Sequence, residues 1–204
     1  MKKSLFILFL FCFPVSETYG QTVGELCPPP GISKQNNLFY STWAHSCYSR
    51  IENYESVMVQ KVIQTFSYYL YEDILQQSNS ASLLNGASTL AWLLNKQGQL
   101  DDKLGVNQNE ERIYTVLRKA KASPYDRAKV LLNLAYYWRK LGEVERLKAV
   151  LVELLASLPN VQPVALDHDN PRKYVLNGVL NAQKSAGMHD WYYETYQKYA
   201  DILK

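Results

Sequence analysis

Few residue groups in this chain have types and spacing that could do chemistry. Histidines stand at positions 45, 168 and 189, none with the i+4 partner or the cysteine spacing that marks a zinc site. The densest ligand-like cluster is Asp167, His168 and Asp169. It falls in a loop directly before the Asn170 cap, where such residues commonly face solvent, so no metal ligand set is assigned. Glu52, Glu55, Glu72 and Asp73 share one long helical segment beside many tyrosines, and a pair of such carboxylates could serve a glycoside hydrolase. Their short spacings read more simply as a wet helix face. No GxSxG, phosphate-binding glycine loop or CxxC occurs, and the expectation is a protein without cofactor, metal or catalytic residues.

The remaining reactive pair is Cys27 and Cys47. A basic start (Lys2, Lys3), an apolar run from Leu5 to Phe13 and a short polar stretch to Gly20 have the layout of a secretory signal at residues 1–20. Nine apolar residues rise only about 14 Å as a helix, far less than a hydrocarbon core of about 30 Å. Export removes Cys12 and leaves an even cysteine pair, for which a disulfide is the default in an oxidising compartment. The mature chain carries 20 basic and 18 acidic residues, a balance that makes no electrostatic case for nucleic acid. Absence of an Asn-x-Ser/Thr sequon fits a periplasmic destination, with extracellular secretion as the alternative.

The elements that must position any site read as helices throughout. Residues 21–40, with Pro28 to Pro30, Gly31 and Asn36–Asn37, cannot propagate a helix or strand and predict an extended arm pinned by the disulfide. From 41 to 77 there is no glycine or proline, and Val59, Val62, Ile63, Phe66, Leu70 and Ile74 recur at helical spacing. Further helices are expected from Ser80 or Ser82 to Lys96, 110–121, 124–140, 143–157, 170–186 and 189–203, with polar loops at 99–108 and 160–169. The core stripes are Ile113, Val116, Leu117 and Ala120, then Leu131, Leu134, Ala135 and Trp138. Tyr192, Tyr196, Tyr199 and Leu203 are spaced to close the last helix onto the core. The expected fold class is all-α.

Three of these helices end alike, in LAWLLNKQG at Gly98, LAYYWRKLG at Gly142 and VLNAQKSAG at Gly187. The steps, from 98 to 142 and from 142 to 187, are those of a helical-hairpin repeat. Residues 128–161 resemble a tetratricopeptide repeat. Leu131, Leu134 and Ala135 sit at its first-helix packing positions, Trp138 at its aromatic, Gly142 at its turn, Leu147, Leu151 and Leu154 at its second-helix positions and Pro159 at its close. The units around Gly98 and Gly187 match more loosely, and the period exceeds that family's 34 residues.

The resemblance implies a domain at 41–204 of antiparallel hairpins stacked as a short α-solenoid, whose first helices line a groove. The implied groove positions are Asn85, Ser88, Trp92 and Asn95, then Lys129, Leu132, Tyr136 and Arg139, then Tyr174, Asn177, Asn181 and Lys184. Amides there could pair with a peptide backbone, aromatics offer flat contact and cations could hold carboxylates. The function expected is a periplasmic binding or scaffold protein for a peptide segment of an envelope, secretion or appendage protein. The alternatives are a cell-wall glycan hydrolase working through a carboxylate, and a secreted factor acting outside the cell.

Overall fold

A computed structural model describes residues 45–47, 49, 63–68, 70, 75–76, 80–97, 106–162 and 169–204 of the 204. The expected signal at 1–20, the arm at 21–40 and Cys27 lie outside the described residues, as do Glu52, Glu55, Glu72, Asp73, Asp167 and His168. Among the described residues every regular element is helical and there is no strand, so the fold is all-α.

The helices are α1 (Ser80–Gln97), α2 (Val106–Lys119), α3 (Pro124–Leu141), α4 (Val144–Ser157), α5 (Pro171–Ser185), α6 (His189–Lys198) and α7 (Ala200–Leu203). Their ends follow from local chemistry. The Ser123 hydroxyl accepts from the Asp126 N–H at 3.1 Å and Asn170 Oδ1 accepts from the Lys173 N–H at 3.0 Å. In each case proline follows the cap, where its missing N–H costs nothing and its φ is already helical. Asp126 in the first turn of α3, and Arg139 and Lys140 in its last, complement the helix dipole.

α3 and α5 close with the same backbone device. At α3, the Gly142 N–H reaches Arg139 O at 3.1 Å and the Glu143 N–H reaches Trp138 O at 3.0 Å. At α5, the Gly187 N–H reaches Lys184 O at 3.2 Å and the Met188 N–H reaches Gln183 O at 3.0 Å. Both glycines are left-handed, with φ of 69° and 73°, as this double bond pattern requires. A Cβ on Gly142 would meet nothing within 4 Å, so only the backbone objects to a side chain. Gly142→Ala is expected to cost about 1 kcal/mol in urea unfolding, and a loss near zero would contradict the strain argument. Gly98, the third expected terminator, lies outside the described residues.

α3 is the central element. It packs on α1, α4 and α5, while α2 packs on α1, and α6 and α7 pack on α5. α1 and α3 run in the same direction, because the late residues Asn95 and Lys140 meet and so do the early ones around Asn85 and Lys129. Every stripe residue expected on α2 and α3 is buried, together with Leu147, Leu151 and Leu154 of α4 and Ile63, Phe66 and Leu70 upstream. One continuous cluster results. Tyr137 joins it, a residue that the stripe did not include.

Polar contacts tie the helices laterally. The buried Gln183 Nε2 donates to Thr195 Oγ1 at 2.9 Å, joining α5 to α6. On the other side, Glu153 of α4 accepts from Arg127 Nε of α3 at 2.8 Å and from the Tyr114 hydroxyl of α2 at 3.2 Å. Arg146 of α4 donates to Glu110 of α2 at 3.2 Å. Burial raises the Glu110 pKa above its ordinary 4.5, partly offset by the Arg146 charge and the Trp138 indole. The folded state therefore holds this proton more tightly than the unfolded chain does. Stability from this group is greatest below the unfolded pKa and declines as pH rises through the window between the two values. Glu110→Gln should raise the melting temperature at neutral pH, with the gap closing below the ordinary carboxylate range. A lower melting temperature at neutral pH would show that the Arg146 ion pair outweighs burial.

Three expectations are corrected. α2 starts at Val106, so residues 106–108 of the expected loop are helical; Asn109 is buried and accepts from the Ser67 hydroxyl, a distant contact that pulls this turn into the core. Tyr196 is 47% exposed and stacks on Tyr192 rather than closing the core. The last helix also divides at Tyr199, whose φ is −114°.

Candidate functional site

The surface that α1, α3 and α5 share is where most of the expected groove residues stand. At its upstream end, Asn85 and Ser88 of α1 and Lys129 of α3 line a depression of about 310 Å³ with Leu84 and Asp126. Asn85 O is engaged by the Thr89 hydroxyl at 2.9 Å. Lys129 pairs with Asp126 at 3.2 Å and lies 4.7 Å from the Tyr125 ring centroid. Such a partly exposed pair contributes little stability, yet it fixes one cation at the edge of the depression.

Farther along, Asn95 bridges the two helices. Its Nδ2 donates to Asn133 Oδ1 at 3.3 Å, and its main-chain carbonyl accepts from Lys140 Nζ at 2.6 Å. That carbonyl belongs to the last turn of α1, where main-chain acceptors lack intrahelical donors. Burial lowers the Lys140 pKa, and the nearby charges of Lys96 and Arg139 lower it further. Trp92 is half-buried at the margin of the core. It stacks on His45 at 4.1 Å with the rings 25° apart, and Lys96 Nζ lies 5.8 Å from its centroid.

Tyr136 is also half-buried, with the Arg139 guanidinium 5.5 Å from its centroid. Burial raises its hydroxyl pKa, as does Tyr174, against a lowering by Arg139. Tyr174 of α5, 42% exposed, packs edge-on against Tyr125 at 6.3 Å. Asn177, Asn181 and Lys184 follow along the exposed side of α5. Eleven of the twelve expected positions thus keep some exposure, and Asn85, Ser88 and Lys129 are brought together across α1 and α3.

Leu132 is the exception. It is 3% exposed and lies where a Cβ on Gly178 would come within 2.6 Å of its Cδ2, so it fills the α3–α5 seam and offers nothing to a partner. The α3 residues that meet α1 are Lys129, Asn133 and Lys140, and the sequence reading missed Asn133 and Lys140. Steps of 4 and 7 fit a helix as well as steps of 3, 4 and 3. The polar character of Asn133 and Lys140 beside the apolar Leu132 was the available signal.

Among the described residues no group of histidine, cysteine, aspartate and glutamate could hold a metal ion, and no helix is long and apolar enough to cross a membrane. Amides, ring faces and cations stand along this face, groups that in general can pair with a polypeptide main chain and its side chains. Compared with known proteins, the chain matches no family model, no curated protein and no solved structure.

Proposed function

We propose that this is an exported, non-enzymatic scaffold protein of the periplasm, which holds a peptide segment of an envelope, secretion or appendage protein. The holding surface is the inner face of a short α-solenoid of tetratricopeptide-like hairpins, α1 with α2, α3 with α4 and α5 with α6. A Cys27–Cys47 bridge pins the arm at 21–40, and the buried Cys47 gives that bridge a firm anchor.

The observation that carries the reading is the side-by-side packing of α1, α3 and α5 with Ser88, Asn95, Asn133 and Tyr136 only half-buried along it. Small repeat units cannot bury their apolar faces alone, so they stack, and stacking leaves a long surface suited to another chain. The signal layout at 1–20 supplies the export half of the proposal.

A photo-crosslinking residue placed at Ser88, and separately at Asn181, tests it in the native envelope. Both positions are expected to trap the same segment of one partner, and a crosslinker at Tyr193 serves as a control away from the face. Replacing Tyr136 and Arg139 together by alanine should abolish the adducts while far-UV circular dichroism stays unchanged. Adducts that persist in a folded double variant would reject the groove, and recovery of the protein only in the cytoplasm would reject export.

A further inference from the structure

We propose that the held segment is acidic and that one of its carboxylates seats between Lys96 and Arg139, where α1 and α3 end. This inference rests on the groove reading above and specifies the chemistry of its occupant.

Five described cations elsewhere on this chain have carboxylate partners: Arg127 has Glu153, Lys129 has Asp126, Arg146 has Glu110, Lys148 has Glu145 and Lys204 has Asp201. At the downstream end of the face three cations gather, Lys96, Arg139 and Lys140, and no described carboxylate pairs with them. Like charges so placed repel one another, and an incoming anion relieves that repulsion.

Their geometry suits a ligand. Lys140 directs its ammonium at the Asn95 carbonyl, 2.6 Å away, which commits it to the end of α1. Lys96 and Arg139 instead rest over the Trp92 and Tyr136 rings, at 5.8 Å and 5.5 Å. Contact through a ring face leaves ammonium and guanidinium N–H groups directed elsewhere, and these suit a carboxylate. The half-buried Tyr136 ring offers flat apolar contact to a neighbouring residue of a bound chain.

The competing account gives these cations a dipole role only. Lys96, Arg139 and Lys140 all lie in last turns, where positive charge is favoured whatever binds. Binding separates the two accounts. Selection of a random peptide display library on the exported chain should enrich sequences rich in aspartate and glutamate. Their affinity should fall as salt is raised, and by roughly tenfold or more in the Lys96→Gln/Arg139→Gln protein. Lys96→Arg/Arg139→Lys, which keeps both charges, should retain most of it.

Acidic peptides that bind the double glutamine variant unchanged would overturn the inference. So would enrichment of neutral peptides that need Tyr136, an outcome that leaves the groove standing with a different occupant. Failure to enrich any peptide would overturn both readings. Binding to phosphatidylglycerol vesicles that is lost in the double glutamine variant, with no acidic peptide enriched, would overturn the inference and assign the cations to a lipid surface.

Discussion

Trp138→Ala is expected to lower the free energy of unfolding by about 3–5 kcal/mol, against about 5–15 kcal/mol for a whole domain. The indole is 1% exposed and sits on α3, the helix that packs on α1, α4 and α5. It meets the Tyr137 ring at 4.8 Å and carries the Arg146 guanidinium over its face at 4.5 Å. Truncation therefore opens a void at a junction of helices and leaves Arg146 without its aromatic support. Urea unfolding followed by circular dichroism measures the loss. Trp191, only partly buried against the core, serves as the comparison and should cost clearly less. A Trp138 variant within about 1 kcal/mol of the parent would mean that α3 is not the central element.

The second large effect lies at the α3–α5 seam. Gly178 lets α5 approach α3 so closely that an added Cβ would stand 2.6 Å from Leu132 Cδ2, 3.0 Å from Cδ1 and 3.4 Å from Cγ. Gly178→Leu should destabilise by about 1–3 kcal/mol through overfilling. Gly178→Ala should come close to neutral, because the gain of about 1 kcal/mol in helix propensity offsets the shift forced on a flexible leucine end. Leu132→Ala in the same chain as Gly178→Leu should restore part of the loss, with a coupling of about 0.5–3 kcal/mol in a double-mutant cycle. Strict additivity of the two changes would disprove the contact.

Much of the helical layout was legible in the chain because its punctuation is local. Ser123 before Pro124, Asn170 before Pro171, and the glycines at 142 and 187 act within a few residues of themselves, and the structure uses each as expected. The stripe ending in Trp138 was legible for a similar reason, since a spacing of 3 and 4 states which side of a helix is apolar. What could not be read depends on partners distant in sequence. α2 starts early because Ser67 holds Asn109, and nothing within 99–108 announces that contact. Tyr196 has the spacing of a core residue, yet it stays 47% exposed.

The candidate site divides along the same line. The resemblance offered Trp92, Asn95, Tyr136 and Arg139 as groove positions, and each keeps partial exposure. Choosing between Leu132 and Asn133 required knowing that Gly178 would face one and Asn95 the other. Lys140 reads as an ordinary last-turn cation until its ammonium is seen on a carbonyl of a different helix.

The close approach at Gly178 has a consequence for motion. The pairings that hold α5 to what precedes it run to α3, α4 and the short 3-10 turn Leu158–Asn160, while α6 and α7 lean on α5. The segment from α5 to α7 can thus detach and reseat as a unit while the middle helices stay closed. Amide protons there should exchange sooner than those of α3, and a partner lying across Tyr136 and Asn181 would fasten that mobile end to the rest.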